Sequence, residues 1–469
     1  MSQANARSGG VRKPDLDTMY TINSDGSRNF LHPADVQGRW QVRKNVIWSI
    51  LLVIYLGLPF VKIGGHPAVL FDIGQRAAHL FGGTFTNQDF YLIFFLLLGF
   101  GLTLFVATSL YGRVWCGFAC PQTVFMEGVF RRIERWIEGP RGRRIQRNLG
   151  PLTGDKFLRK ALKHMVFIAL CWIFAHAFIA YFMPVENLLE AVRRSPASHM
   201  PAFIWGMAWT GVLYFNYAWF REQTCLIICP YGRLQSTLID PETIIIGYDE
   251  RRGEPRGQLN KEGNGDCIDC LRCVNVCPTG IDIRNGLQME CIACSNCVDA
   301  CDTVMDKIGK PRGLIRYDSQ RGFAGERRKP LRARLLVYLV AALVGVGFFA
   351  WQAGERTFFQ VGSLRARGLP YTLTEDGVRN LYTIFVQNKS DEDRTFLVAP
   401  DADVAVLGDR AEFIVPQDRV RLAALGEARV PLFVTVPRAD YSAPQAFHIA
   451  VTDSATGTVQ RVQVRFLGP

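Results

Sequence analysis

Eight cysteines between positions 267 and 301 have the spacing of a two-cluster bacterial ferredoxin. In such a motif, three closely spaced cysteines bind one 4Fe-4S cluster while the fourth reaches the other cluster. The pattern therefore assigns one cluster to Cys267, Cys270, Cys273 and Cys301. It assigns the second cluster to Cys291, Cys294, Cys297 and Cys277. A segment of this kind transfers single electrons.

Zinc knuckles and a disulfide framework are the alternatives for these eight cysteines. Zinc usually takes its four ligands as separated cysteine pairs, whereas here three thiols lie close together and the fourth is distant. Disulfides are rare where thiols are kept reduced. The second motif has Asp302 in place of the usual proline after its last cysteine, which alters the local turn but removes no ligand.

Four further cysteines form two CxxxCP motifs, Cys116 to Pro121 and Cys225 to Pro230. If each segment is helical, its two cysteines share one face, and the following proline bends or stops the helix. Soft thiolates select Cu(I) or iron-sulfur chemistry over hard cations, so these pairs are predicted to form a copper site or a redox-active dithiol. Packing of membrane-buried cysteines is the simpler alternative, and Cys171 is assigned to it.

The elements that carry these motifs are apolar segments of about the length that crosses a bilayer. The chain has 469 residues, 49% of them hydrophobic, and a span needs roughly 20 apolar residues. Five segments come close to this length, namely 46–61, 88–110, 165–183, 202–220 and 334–351. Each of the first two pairs of spans leads into a CxxxCP motif. Since parallel repeats place functional sites at their interface, the four thiols are expected to converge near the ferredoxin segment.

The basic residues behind the net charge of +12 are unevenly distributed among the loops that join the predicted spans. Twelve Lys and Arg residues lie between Tyr111 and Lys163, whereas the loops 62–87 and 184–201 have two each. By the positive-inside rule the basic loop is cytoplasmic. This predicts a multi-pass protein of the bacterial inner membrane with a cytoplasmic amino terminus and ferredoxin domain and a periplasmic C-terminal domain. Because membrane topology explains the basic charge, no nucleic-acid partner is expected. No signal peptide is recognised in the sequence.

The order of these segments predicts a multi-domain membrane protein. Its fold class is an α-helical transmembrane bundle of about five spans with an inserted two-cluster ferredoxin domain and a C-terminal immunoglobulin-like β-sandwich. Short alternating apolar runs separated by turn residues indicate the sandwich, which is expected to dock a partner or act as a spacer. The predicted parts are a flexible cytoplasmic arm (1–40), a four-helix membrane region with both hairpins (41–240), the ferredoxin domain (255–310), a fifth helix (330–353) and the periplasmic sandwich (354–469).

These features in this order resemble the FixG/CcoG family of cytochrome oxidase accessory proteins over nearly the whole chain. The resemblance implies an oxidoreductase that uses two 4Fe-4S clusters to reduce Cu(II) to Cu(I) for assembly of cbb-type cytochrome c oxidase. It implies copper as substrate or bound ion, and as partners the membrane, oxidase assembly factors, a copper transporter or chaperone and an unidentified electron donor. Carried over by position, the catalytic copper-linked thiols are Cys116, Cys120, Cys225 and Cys229.

Two other functions remain open. The NapH-like membrane ferredoxins share the CxxxCP hairpins and pass electrons from quinol toward a periplasmic reductase. The terminal sandwich favours the resemblance to the FixG/CcoG family over this alternative. In the second alternative, the protein is a non-enzymatic copper-binding scaffold or chaperone, whose thiols hold metal without turnover. Redox activity of the clusters toward bound copper separates this scaffold from the other two functions.

Overall fold

A computed structural model describes residues 30–86, 89–194, 196–259, 262–365, 369–375, 377–441 and 443–469. The chain divides into two compact units. The first unit combines the residues up to 73 with 93–348, and the second combines 74–92 with 349–469. The first unit contains all the cysteines, because every cysteine lies between Cys116 and Cys301.

Helices account for most of the first unit. The α-helices are α1 (Arg39–Gly57), α2 (Phe90–Tyr111), α3 (Val114–Phe118), α4 (Pro121–Phe125), α5 (Arg131–Glu138), α6 (Arg141–Leu149), α7 (Gly154–Ile179), α8 (Val185–Arg193), α9 (Met200–Tyr214), α10 (Pro230–Leu238), α11 (Glu250–Gly253), α12 (Arg272–Asn275), α13 (Asn296–Lys307), α14 (Gln320–Phe323) and α15 (Ala333–Gly354). Wider π-helical turns cover Met126–Phe130, Phe215–Phe220 and Thr224–Ile228, and 3₁₀ turns cover Leu58–Phe60, Pro196–His199, Ile283–Asn285 and Ala402–Leu407.

Four helices of the described chain are long and apolar enough to cross a membrane. They cover Arg39–Phe60, Phe90–Tyr111, Gly154–Ile179 and Ala333–Gly354. The predicted span 202–220 forms instead as the 15-residue α9 followed by the π-helical turn Phe215–Phe220. Its end is set by Arg221, whose left-handed backbone (φ 53°) does not continue a helix. The predicted five spans are therefore four long helices and one shorter composite helix.

The first long helix begins at Arg39, well before the predicted position 46, because a distant side chain caps it. The carboxylate of Asp299 accepts hydrogen bonds from the backbone N–H of Trp40 at 3.2 Å and of Gln41 at 2.8 Å. These N–H groups have no partner within the helix. Gly38 permits the close approach, since a Cβ there would lie 2.3 Å from Asp299 Cγ.

The predicted flexible arm, 1–40, falls partly outside the described residues, which begin at 30. Residues 30–38 pack against the first unit. The backbone N–H of Ala34 donates to the carbonyl of Asn275 at 2.8 Å, and the carbonyl of Pro33 accepts from Arg144 at 2.7 Å. The prediction of a flexible arm is therefore wrong for residues 30–38, because backbone groups there are bonded to residues distant in sequence.

Most strands belong to the second unit. The strands are β1 (Lys62–Ile63), β2 (His66–Pro67), β3 (Val69–Asp72), β4 (Ala77–Leu80), β5 (Gly83–Thr86), β6 (Ile245–Tyr248), β7 (Ile315–Asp318), β8 (Phe359–Arg365), β9 (Thr372–Thr374), β10 (Gly377–Asn388), β11 (Arg394–Pro400), β12 (Glu412–Ile414), β13 (Arg419–Leu422), β14 (Glu427–Val436), β15 (Gln445–Asp453) and β16 (Val459–Phe466).

Two antiparallel sheets form the C-terminal sandwich. One has the strand order β12-β14-β10-β8, with β9 also paired to β10, and the other has the order β13-β11-β15-β16. Alternate residues of each strand point into the core, among them the fully buried Ile384, Leu432, Phe447 and Ile449. The prediction of a terminal β-sandwich is confirmed.

The segment 74–92 belongs to the unit that contains the sandwich, although it was predicted as part of the membrane region 41–240. Asp89 explains this grouping. Its carboxylate lies 2.7 Å from Lys389 Nζ and 3.2 Å from Arg356 Nη2, and its side chain is 2% exposed. A buried carboxylate needs such partners, so the two cations tie Asp89 to the sandwich residues of the same unit.

The cysteine-rich segment is closed by the antiparallel pair of β6 and β7, in which Tyr248 faces Ile315. The folded segment therefore runs from 245 to 318, beyond the predicted 255–310. Its core combines apolar side chains such as Ile283 and Val298 with several of the cysteines. Pairing of the two ends brings both cysteine motifs into one compact fold.

Glu134, on α5, is the centre of a buried ion-pair network in the first unit. Its carboxylate contacts Arg221, lies 3.4 Å from Lys163 Nζ and lies 3.7 Å from Arg144 Nη1, and its side chain is 3% exposed. Burial by itself raises the pKa of Glu134, but the positive charges of Arg221, Lys163 and Arg144 outweigh it and hold the pKa well below its usual value.

We expect Glu134→Gln to lower the free energy of unfolding by roughly 3–5 kcal/mol, because it leaves buried cations without their counter-ion. The lowered pKa means that the stabilisation is complete above the pKa of an unfolded glutamate, about 4.3, and is lost as the pH falls toward the folded-state value. Thermal denaturation of the detergent-solubilised protein between neutral and acidic pH measures both effects.

Asp155→Asn is the matched control for Glu134→Gln, because Asp155 pairs with Arg147 and Arg159 on the surface. Such exposed pairs are screened by water, so the control should denature at the wild-type temperature. An E134Q variant as stable as wild type at neutral pH would contradict the role of the network.

Candidate iron-sulfur and thiol site

Two cavities in the cysteine-rich segment are lined by sulfur. One is lined by Cys267, Cys270, Cys273 and Cys301. The other is lined by Cys277, Cys291, Cys294 and Cys297, and Cys273 also reaches it. Each cavity thus has the four cysteines that the motif assigns to one cluster.

The two cysteine loops share one backbone conformation. Asp269 and Leu271 have φ of 53° and 55°, and Ala293 and Ser295 have φ of 52° and 63°. These residues occupy equivalent positions in the two motifs, two residues after the first cysteine and one after the second. Alternation with left-handed residues turns successive N–H groups toward one side, as in the concave sites that bind anionic iron-sulfur clusters.

The chemistry of the donors tests whether such a cluster fits. Burial raises the pKa of the Cys273 and Cys301 thiols in the first cavity and of Cys294 in the second to about 12. Thiols that bind a metal must lose their protons. Burial opposes this loss unless a cation is bound among them. Four converging thiols that require a cation therefore fit a 4Fe-4S cluster in each cavity.

The CxxxCP motifs share a second geometry. Cys120 and Cys229 have extended backbones, with φ, ψ of −61°, 126° and −68°, 110°, and the prolines that follow them are the first residues of α4 and α10. The condition that one continuous helix carries both cysteines of a motif is therefore not met. A residue before proline avoids the helical conformation, so each proline begins a new helix instead of ending the previous one.

The four thiols of these motifs converge in the first unit. Cys116 interacts electrostatically with Cys120 and Cys229, and Cys225 interacts with all three. The Cys116 thiol donates a hydrogen bond to Gln235 Oε1, with 3.4 Å between Sγ and oxygen. The duplicated hairpins thus bring two cysteine pairs to one place.

Burial raises the pKa of the Cys116 thiol to about 12, and repulsion by the charge of Cys120 adds to this effect while Arg113 opposes it. Burial likewise raises the pKa of Cys225. At neutral pH these thiols carry their protons until a cation displaces them. The chemistry available to the site is the binding of a soft cation.

The thiol pairs lie against one cysteine loop of the ferredoxin segment. A Cβ added to Gly117 would lie 2.6 Å from the carbonyl oxygen of Ala293 and 2.8 Å from that of Ile292, so the backbones touch. Cys291 interacts electrostatically with Cys116. The second cavity is therefore next to the CxxxCP thiols.

Arg113 connects the parts of this site. Its guanidinium donates hydrogen bonds to the carbonyl of Met289 in the ferredoxin segment and to the carbonyl of Gly232 on α10. Sequence reasoning missed Arg113, Gly117 and Gln235, because each acts through a contact with a distant residue. Cys171, predicted to be core, is fully buried on α7 among aromatic side chains.

Comparisons with known proteins agree with this arrangement. Residues 92–144 match a family model described as "4Fe-4S binding domain", residues 220–320 match "4Fe-4S dicluster domain", and residues 349–469 match "IG-like fold at C-terminal of FixG". The predicted fold class, including the immunoglobulin-like character of the sandwich, is thereby confirmed.

Relatives extend the similarity over nearly the whole chain. Protein RdxA of Cereibacter sphaeroides is 37% identical over 453 residues, which cover 93% of both chains. Nitrogen fixation protein FixG of Rhizobium meliloti is 32% identical over 513 aligned positions, which cover 97% of both chains. The crystal structure of a FixG-related protein from Vibrio parahaemolyticus matches 24% of this chain and 97% of its own, at 15% identity and a TM-score of 0.21.

We expect Cys301→Ser and Cys277→Ser to disturb different clusters, because the two thiols line different cavities. Each variant should lose up to about half of the bound iron, since each removes one ligand of one cluster. Iron analysis and electron paramagnetic resonance of the reduced protein measure the loss. Cys171→Ser should retain all the iron, whereas loss of the same resonance signal in both ligand variants would contradict the grouping.

Proposed function

We propose that this protein, which belongs to the FixG family, is a membrane-bound iron-sulfur oxidoreductase that reduces Cu(II) to Cu(I) for the assembly of cbb-type cytochrome c oxidase. The observation that supports it best is the contact of α3, which carries Cys116, with the cysteine loop at Ile292 and Ala293. This contact puts candidate copper ligands directly beside candidate cluster ligands.

The ligand type favours the reduced ion. Cu(I) prefers few soft sulfur ligands, so a site of cysteine thiolates that binds Cu(I) more tightly than Cu(II) makes the reduction more favourable. Reduction of one Cu(II) takes one electron. When bound, 4Fe-4S clusters supply electrons singly.

Residues of this chain prepare the thiols for a cation. Burial raises the pKa of the Cys120 thiol, and the backbone N–H groups of Thr123 and Gln122 partly oppose this effect by hydrogen bonding to the sulfur, as the first turn of a helix does for an anion. Gln235 accepts the hydrogen bond of the Cys116 thiol and is itself fully buried. Arg113 holds α3, α10 and the ferredoxin segment together.

Location and partners follow from the same proposal. The twelve Lys and Arg residues between Tyr111 and Lys163 favour a cytoplasmic position for that loop in the bacterial inner membrane, with the sandwich in the periplasm. A copper transporter or chaperone would deliver or receive the ion, and oxidase assembly factors would be the recipients. The basic charge serves topology in this proposal, so nucleic acid is not a partner.

A quinol-linked electron carrier is the second candidate function. A cleft of about 450 Å³ beside Cys291 is lined by polar residues such as Asp240 and Gln288 and by apolar residues such as Pro241 and Leu287. Clefts of this size and mixed lining commonly bind small organic molecules. A quinol bound there would be the electron donor, with copper or a protein as the acceptor.

We expect the double variant Cys116→Ala/Cys229→Ala to lower the rate of Cu(I) formation by at least about tenfold, because two of four soft ligands are lost and each 1.4 kcal/mol is a factor of ten. Protein reduced with dithionite, freed of excess reductant and mixed anaerobically with Cu(II), shows the reaction as bleaching of the clusters and colour of a Cu(I) chelator. Cys171→Ala is the matched control, since Cys171 is also buried but lies in the core.

The competing functions give different results in this assay. Copper bound without bleaching of the clusters would overturn the reductase and favour the scaffold. Reoxidation of the clusters by a quinone or a protein, with copper inert, would favour the electron carrier.

Gly117→Ala tests the contact between the thiol pairs and the cluster loop. We expect at least about tenfold slower reoxidation by Cu(II), because the new methyl group would overlap the carbonyl of Ala293 and displacements of about 1 Å commonly cost this much or more. Gly142→Ala is the control, since a Cβ on that helical glycine meets nothing within 4 Å. An unchanged rate in G117A with full iron content would show that the contact is not required.

A further inference from the structure

Lys44, on α1, is a buried cation that hydrogen-bonds to an amide side chain. The residue is 1% exposed, its Nζ donates a hydrogen bond to Asn296 Oδ1, and it lies 5.4 Å from the centre of the Trp48 ring. Among the described residues, no carboxylate forms an ion pair with Lys44. A buried charge is costly unless something balances it, so this position calls for a negative partner.

The partner of Lys44 places its charge beside the second cavity. Asn296 stands between Cys294 and Cys297 at the start of α13. Its Nδ2 donates to the carbonyl of Val276 at 3.3 Å, next to Cys277. Asn296 therefore connects Lys44 to the backbone segments that carry Cys294, Cys297 and Cys277. The positive charge also opposes the burial that raises the pKa of Cys294.

The cation beside the first cavity is different. Arg284 interacts with Cys273, but its guanidinium is paired with Asp282, at 2.6 Å, and with Asp269. The carboxylates cancel the charge of Arg284. The two cavities thus differ in the net charge of their surroundings, although their cysteine loops have the same conformation.

We propose that Lys44 raises the reduction potential of the cluster held by Cys277, Cys291, Cys294 and Cys297. An added electron makes the cluster more negative, and a buried positive charge nearby stabilises that state. Since this cavity adjoins Cys116, the charge favours the arrival of electrons at the end of the path nearest the CxxxCP thiols. The proposal rests on the iron-sulfur part of the proposed function and is independent of copper reduction.

The test is a redox titration of the full-length protein in detergent, followed by electron paramagnetic resonance. We expect Lys44→Met to shift the equilibrium between the oxidised and reduced cluster at least about tenfold toward the oxidised form, which is about 59 mV for a one-electron couple. The other cluster should keep its potential. The Cys301→Ser and Cys277→Ser variants identify which signal belongs to which cavity.

Two further variants separate charge from structure. Lys44→Arg keeps the charge and should restore the wild-type potential, whereas Lys44→Gln should behave as K44M even if K44M fails to retain its iron. Lys310→Met removes a lysine paired with Asp266 on the exposed side of the segment, and it should leave the second cluster unchanged. Wild-type potentials in K44M or K44Q, or equal shifts of both clusters, would overturn the proposal whatever the copper assay shows.

Discussion

The two hydrogen bonds of Arg113 hold together the three parts of the candidate site. Arg113 lies just before Cys116 in the sequence, and its side chain donates to the carbonyls of Met289 and Gly232. A backbone carbonyl does not move without the segment that carries it, so these bonds fix a loop and a helix rather than flexible side chains. The planar guanidinium, with donors in a rigid fork, suits this purpose better than a lysine ammonium. The close contact of Gly117 depends on the same alignment.

Buried charge adds a second constraint on the same site. Arg131 donates to the carbonyl of Pro278, directly after Cys277, at 3.2 and 3.3 Å, and lies 3.0 Å from Glu222, just before the second CxxxCP motif. Its side chain is 4% exposed, and such an ion is stable only while its partners stay in place. The basic loop must therefore be folded for the cysteine loop after Cys277 to be held in its position. The same arginines that the charge distribution assigns to membrane topology also organise the interior.

The sequence was sufficient to predict features that depend on local spacing. Cysteine intervals predicted the grouping of eight thiols, apolar lengths predicted five spans of which four are long helices, and alternation predicted the sandwich. It was insufficient wherever a contact joins distant positions. In the sequence, Lys44 is only a basic residue just before a predicted span. Its hydrogen bond to Asn296, 252 residues away, is visible only in the structure. The early start of α1 likewise depends on Asp299, and the prolines of the CxxxCP motifs begin helices because of the preceding residue's conformation.

The protonation of the CxxxCP thiols distinguishes between the two chemistries that their sequence left open. A dithiol that exchanges with disulfides reacts as a thiolate, and its attacking cysteine usually has a lowered pKa. Here burial raises the pKa of Cys116 to about 12 and also raises that of Cys225, so neither is prepared for exchange. A soft cation offsets both the burial and the mutual repulsion of the thiolates, because its charge lies among them. Cys116 and Cys225 are therefore better suited to holding a soft cation than to disulfide exchange.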